Sequence, residues 1–405
     1  MRRNEIHIKA HYCLCLLIAF FLPVYIHVVP VLIGLLTINW LVEGGFYEKL
    51  NSFKKNKSVW LFIAFYLFYL IGMLWTENIY VGGFDLQVKL SLLIFPLILS
   101  TTRSKTWEIL LAFVYGCVLA GIICFVTATI HYVKTGENHF EYTFFSYVLH
   151  PTYFAMYIDF AIAVLIFSLN NHNPTRKEAV RLFAILFLTS IVILLASKTG
   201  TLLLAVIILL FAATQIFSHR KWMLGGAILL VSVSMFILAI KFFPYTINRI
   251  ETSFHTFTHM KEITPHDSES MESNSERVLV WKSDLIAMKR NILIGTGTGD
   301  AEDELIGIYK EAGYTYLSEH QLNAHSQFFQ STITLGFFGG IILLLCFFVP
   351  VLISIRRKNF VYLVFLLVII VNFSVESMLE VQAGVMFYAF FNSLLFLQAK
   401  TKPDS

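Results

Sequence analysis

Three residues in this chain combine a reactive side chain with a setting where reactivity is unusual: Lys198, Arg277 and His325. Lys198 lies in Leu195-Ala-Ser-Lys-Thr-Gly200, a tight turn between two apolar runs. It reads either as a lysine snorkelling to a membrane interface or as a cation for an anionic head group at the membrane surface. Arg277 opens a polar helical stretch. It is either a solvated charge or a planar fork suited to bidentate contact with phosphate. His325 stands in Asn323-Ala-His-Ser-Gln327, just before an apolar run. A lone histidine is often structural, but an imidazole titrates near neutrality and is the natural general base for an alcohol nucleophile.

Other polar residues surround these three. Lys89 sits inside an apolar run, Lys89-Leu-Ser-Leu-Leu-Ile-Phe-Pro96. An ionisable group there is a functional candidate by default; the alternative is a side chain snorkelling to the outer face. Glu376 and Glu380 flank the last short turn, where they could pair with a cation or shape an acceptor groove. Glu376 and Gln327 are thus candidates for acceptor contact or support. Gly295-Thr-Gly-Thr-Gly299 resembles a phosphate-cradling loop only superficially, since it follows a helix instead of a strand; it reads as a glycine turn. His255, His259 and His266 share helical spacing, but they sit in a Ser/Thr/Glu-rich stretch and read as part of a flexible linker. The five cysteines all fall in apolar runs and have no metal-site or disulfide spacing. No metal site and no cofactor is expected.

The elements that must position these residues are apolar. The 405 residues are 57% hydrophobic and 14% charged, with mean hydropathy +0.71. A soluble domain is nearer a quarter charged, so the chain reads as a membrane protein. The 39 phenylalanines suit lipid-facing helices. A formal charge of +4 gives no case for nucleic acid. With about 20 apolar residues needed per crossing, the run 12–42 divides into two short helices turning near His27, helped by Pro23 and Pro30. It reads as a pair of spans instead of a cleavable signal peptide. Further spans fall at about 58–75, 86–100, 107–131, 148–169, 182–197, 201–217, 222–241, 333–354, 360–376 and 382–398. The fold class is therefore an all-α polytopic membrane protein of about twelve transmembrane helices. One long outside loop contains short amphipathic helices.

Alternate inter-span segments carry nineteen Lys and Arg, whereas the short loops of the other side carry two, Lys134 and Lys198. Positive charge is retained inside, so both termini are expected in the cytoplasm and the segment 242–330 outside. The resulting division is a nine-span membrane domain over 1–241, a loop or lid over 242–332, and three spans with a tail over 333–405. Within the loop, Ser273-x-x-Glu276 has the form of a capping box. Val278, Trp281, Leu285, Met288 and Ile292 recur at helical spacing as an apolar stripe. A helix of this kind, with Arg277, Lys282, Lys289 and Arg290 off the stripe, would rest on a membrane surface or roof a cavity. Asp300 is expected to cap a second helix ending at Gly313.

Taken together, these features resemble the O-antigen ligase family of the O-antigen ligase/polymerase superfamily, among the GT-C-type membrane glycosyltransferases. The matching set is the twelve-span plan, the long outside loop before the last three spans, and the Ser197-Lys198 turn. To these are added Arg277-x-x-x-Trp281, Gly295-Thr-Gly-Thr-Gly299, and Asn323-Ala-His325 running into Gly336-Phe-Phe-Gly-Gly340. As sequence, the resemblance is specific over about residues 270–340. It implies transfer of a glycan from undecaprenyl pyrophosphate to lipid A–core oligosaccharide or a similar glycolipid. The reaction would occur at the periplasmic face of the bacterial inner membrane, without metal or nucleotide sugar. It also implies that His325 activates the acceptor hydroxyl and Arg277 contacts the donor pyrophosphate. Lys198 would stand where the family has an arginine, keeping the charge and losing the fork. The close rival is a polymerase joining repeat units. A polysaccharide or lipid transporter is a more distant one, since no internal repeat is evident.

Overall fold

Pro23 and Pro30 divide the first apolar run as expected. In the computed structural model, helix Arg2–Val24 ends one residue past Pro23, a 3₁₀ turn covers Ile26–Val28, and Pro30 enters the first turn of helix Val29–Glu43. A proline is tolerated in a first turn because the N–H it lacks would have no partner there. The structure describes residues 2–56, 59–102, 104–168, 176–218 and 273–400, with four isolated positions between 222 and 230. The expected span 222–241 (save those positions), the segment 242–272 and the three histidines His255, His259 and His266 lie outside the described residues.

The described residues are helical throughout, with no strand among them. Six helical stretches are long and apolar enough to cross a membrane: Glu5–Val24, Ile26–Glu43, Ile79–Leu99, Thr106–Thr135, Lys198–Phe217 and Gln327–Arg357. Val59–Gly72, Pro151–Phe167 and Phe360–Val375 are shorter and apolar.

The chain packs as two units. The first contains the helices Arg2–Val24, Val29–Glu43, Thr106–Thr135, Pro151–Phe167, Arg176–Leu194 and Lys198–Ala213. Thr106–Thr135 lies along Arg2–Val24 and also against Pro151–Phe167. The second unit contains Phe46–Lys55, Val59–Gly72, Ile79–Lys89, Ser91–Leu99, Ser273–Arg290, Ala301–Glu311, Thr315–Glu319, Gln327–Arg357 and Gln382–Lys400. There Gln382–Lys400 packs on Ser91–Leu99, and Gln327–Arg357 packs on both Val59–Gly72 and Ser273–Arg290.

Two expected spans are interrupted in the second unit. The span expected at 86–100 begins at Ile79 and breaks at Leu90, dividing Ile79–Lys89 from Ser91–Leu99. The one expected at 333–354 begins at Gln327 and breaks at Gly336, whose backbone (φ 68°, ψ −167°) is not helical. The second break is built against the glycine-rich loop. Thr296 and Gly297 donate N–H bonds to the carbonyls of Ile333 (2.9 Å) and Thr334 (3.1 Å), and Phe337 donates to Ile292 (2.8 Å). A Cβ on Gly295 would lie 2.4 Å from the Thr334 carbonyl oxygen, and one on Gly336 2.3 Å from that of Leu293. Both positions also require positive φ, so only glycine fits. Two of the loop's amides are thus spent on protein carbonyls, and the loop acts as a joint, as the glycine-turn reading expected.

Helix Ser273–Arg290 lies on Gln327–Arg357 and Ala301–Glu311 with a face that only partly matches the expected stripe: Val278 is buried and Trp281 and Met288 pack against the core, but Leu285 and Ile292 do not. Leu279, Val280, Ser283, Asp284 and Ala287 are buried, and Val278 joins them, while Leu285, Ile286 and Ile292 are exposed. The stripe was drawn through the large apolar residues. The buried face also takes in Leu279, Val280, Ser283, Asp284 and Ala287, which lie off that stripe. Asp300 is also corrected: it stands at the N-cap of Ala301–Glu311 but makes no cap bond there. Its carboxylate accepts the Glu77 (2.9 Å) and Asn78 (2.8 Å) N–H groups, holding the start of Ile79–Lys89.

Candidate active site

His325 and Arg277 come together on one carboxylate. Glu376 Oε1 lies 3.4 Å from His325 Nδ1, and Glu376 Oε2 lies 3.6 Å from Arg277 Nη2. All three side chains are three-quarters or more buried. Arg277 Nε is buried with no hydrogen-bond partner, and His325 Nδ1 has Glu376 near it without an aligned bond. An unsatisfied buried N–H costs on the order of 1–3 kcal/mol, so Arg277 retains donor capacity for a ligand.

The local sequence explains how His325 is held. Its backbone is left-handed (φ 44°), a conformation rare outside glycine and asparagine. Asn323 Oδ1 stabilises the turn by accepting the His325 N–H at 3.1 Å, and Gln330 Oε1 accepts the Ala324 N–H at 3.3 Å. Strained backbone of this type clusters at functional sites. Burial pushes the Glu376 carboxyl up. The facing His325, the Arg277 charge and the Ser377 backbone N–H outweigh that, and the net shift is downward. Glu376 is thus held as an anion beside the imidazole. Glu276, on the same helix as Arg277, is shifted up by burial and pulled partly back by His325, Arg277 and His320. Nothing in its sequence setting separated it from an ordinary cap residue.

A buried network supports the turn that carries Glu376. Lys89 is fully buried and its ammonium meets both Asp85 and Glu380, the latter at 2.8 Å, over the Tyr69 ring at 4.8 Å. Gln327 is also fully buried. Its Nε2 donates to Glu380 (3.3 Å) and Ser331 (3.0 Å), and its Oε1 accepts the Leu379 N–H at 2.6 Å. Ser331 and the Tyr69 hydroxyl, 3.2 Å apart, close the circuit. The expectation for Lys89 is therefore revised. It does not snorkel; its buried ammonium is held by Asp85 and Glu380, an arrangement that favours a packing role over contact with pyrophosphate. Its partner Asp85 was missed in the sequence, although Asp85 and Lys89 lie one helical turn apart.

Lys198 belongs to the first unit. It is the first residue of Lys198–Ala213, with Ser197 at the cap accepting the Gly200 N–H at 3.2 Å. A helix N-terminus favours negative charge by roughly 0.3–1 kcal/mol. A lysine placed there is locally disfavoured by the helix dipole.

Residues 183–344 match the family model described as O-Antigen ligase. That stretch is similar to the O-antigen ligase family. No curated protein matches the chain. Lys198, Arg277, the glycine loop and His325 lie within the ligase-family stretch, whereas Lys89, Glu376 and Glu380 lie outside it. This match, with the apolar helices, supports a membrane glycosyltransferase-like enzyme of the O-antigen ligase/polymerase type and, in general, lipid-linked glycan and glycolipid substrates.

Proposed function

We propose that the protein transfers a glycan from undecaprenyl pyrophosphate to a hydroxyl of lipid A–core or a similar glycolipid. The proposed setting is the periplasmic face of the inner membrane, with about twelve spans and both termini in the cytoplasm. The observation that carries the reading is the convergence of His325 and Arg277 on Glu376. With Nδ1–H turned to an anionic Glu376, the other ring nitrogen of His325 carries the lone pair and takes the acceptor's proton. The acceptor oxygen attacks the anomeric carbon, the bond to pyrophosphate breaks, and the electron pair leaves on the phosphate oxygen. Arg277, with an unsatisfied N–H to offer, stabilises the charge that develops there. Lys198 is a further cation for the donor, carried over from the resemblance. An apolar groove lined by Phe328, Leu344, Phe348 and Ile370 begins in the first turn of the helix that follows His325 and suits a polyprenyl chain. Attack in line with the departing pyrophosphate inverts the anomeric centre.

His325→Ala is expected to lower transfer in reconstituted membranes by about 10²–10⁴-fold, the range of a lost general base, with expression unchanged. Normal transfer by that variant removes the base assignment. Deleting the gene separates the rival activities. Unligated glycan on its lipid carrier marks a ligase, single repeat units on core mark a polymerase, and glycan retained in the cytoplasm marks a transporter.

A further inference from the structure

In the first unit, helix Thr106–Thr135 ends at Gly136, whose left-handed backbone (φ 75°) turns the chain back on itself. Thr135 Oγ1 accepts the Glu137 N–H at 3.2 Å, and Asn138 Oδ1 accepts the Phe140 N–H at 3.0 Å. Phe140 packs edge-on against Phe125 and Tyr132 of the helix. The turn is therefore fixed by its own side chains, and it brings three potential ligands together. His131 Nε2 lies 3.3 Å and His139 Nε2 3.8 Å from Glu137 Oε2. One donor atom from each residue lies within 4.8 Å of the other two. The imidazoles stack at 3.5 Å with 16° between planes, and Phe144 covers His139 at 5.0 Å.

We propose that His131, Glu137 and His139 bind a divalent first-row transition metal ion of the zinc type. Zinc bonds of 2.0–2.2 Å set tetrahedral donors about 3.4 Å apart, and the two measured separations from Glu137 lie on either side of that value. Two imidazoles with one carboxylate favour zinc, nickel or copper over magnesium or calcium. The two histidines are only a third and a quarter exposed, while Glu137 is open to solvent. The ion therefore has a shielded nitrogen side and an approach path. The lone pairs of stacked rings run side by side, so binding one ion requires the two rings to unstack and swing about χ1 and χ2 until both Nε2 atoms face it. Three protein ligands leave a fourth position for water. A bound ion cross-links the last turn of the helix to the returning loop and holds residues 136–140 in place.

The test uses the full chain without a polyhistidine tag, purified in detergent, stripped with EDTA and titrated with Co²⁺, then challenged with Zn²⁺. One Co²⁺ per chain is expected, with a visible d–d absorption band that Zn²⁺ abolishes. His131→Ala/His139→Ala is expected to weaken binding by at least about 100-fold, beyond the ~10–100-fold typical of losing a partner one shell further out. Glu137→Gln leaves the backbone bonds of the turn intact and is expected to weaken binding about tenfold or more. Absence of the band in the unaltered protein overturns the proposal, as does wild-type affinity in the double variant. Should the double variant not purify, unchanged Co²⁺ affinity in Glu137→Gln overturns it equally.

Discussion

Replacing Lys89 with methionine separates a packing cation from one that binds donor. The substitution keeps the length of the stem and removes the charge, leaving Asp85 and Glu380 buried around an apolar tip. Breaking a buried pair by removing one partner costs about 3–5 kcal/mol, because the remaining charge is uncompensated. At 1.4 kcal/mol per tenfold, that raises the unfolded fraction roughly 10²–10⁴-fold. Lys89 is fully buried and faces two carboxylates, so the upper part of the range is expected. Denaturant unfolding of the detergent-solubilised protein measures the loss, and initial rates at varied donor concentration measure binding. Lys89→Met combined with Asp85→Asn and Glu380→Gln should recover most of the stability, since a neutral cluster leaves no unpaired charge. A Lys89→Met protein with wild-type stability and a donor KM raised tenfold or more would refute the reasoning and restore Lys89 as a pyrophosphate ligand.

Glu376→Gln should lower kcat about tenfold or more because it disturbs the base, and change donor KM less, since Arg277 keeps its charge although it loses the carboxylate 3.6 Å away. Its pH dependence follows from the lowered carboxyl. The stabilising contribution is present above the free glutamate value of 4.5 and lost as pH falls through the lowered folded value. The stability difference between wild type and Glu376→Gln should therefore narrow in acid. Asp284 behaves oppositely. Burial pushes its carboxyl well above the usual range, and neither oxygen has a hydrogen-bond partner. The folded state keeps a proton that the unfolded chain releases above about 3.8. Stability should accordingly fall with rising pH by up to about 1.4 kcal/mol per unit until the folded group ionises. Asp284→Asn should flatten that slope in melts from pH 5 to 8, and parallel curves would count against the assignment. Lys198→Arg should retain transfer and Lys198→Ala should raise donor KM; equal rates in both variants remove Lys198 from the site.

The linear sequence determined the class of the molecule. Apolar runs long enough for helices, and the glycines and prolines between them, act over neighbouring residues and are legible without a fold. The turn near His27, the glycine joint at 295–299 and the helices after Ser273 are all of this kind. The Asn323-Ala-His325 setting was legible for the same reason, since Asn323 shapes the turn from two residues away. What the tertiary structure alone decided was pairing. Lys89 and Glu380 are 291 positions apart, and their neutralisation of each other changes Lys89 from a candidate ligand into support for the Glu376 turn. Arg277 and His325 were each ambiguous in isolation, and only packing brings both to Glu376. The buried face of Ser273–Arg290 and the partners of Asp300 were misread because hydrophobic spacing records side-chain size and polarity. It does not record which neighbour a residue meets, and in the fold Ser283 and Ala287 are buried while Leu285 is exposed.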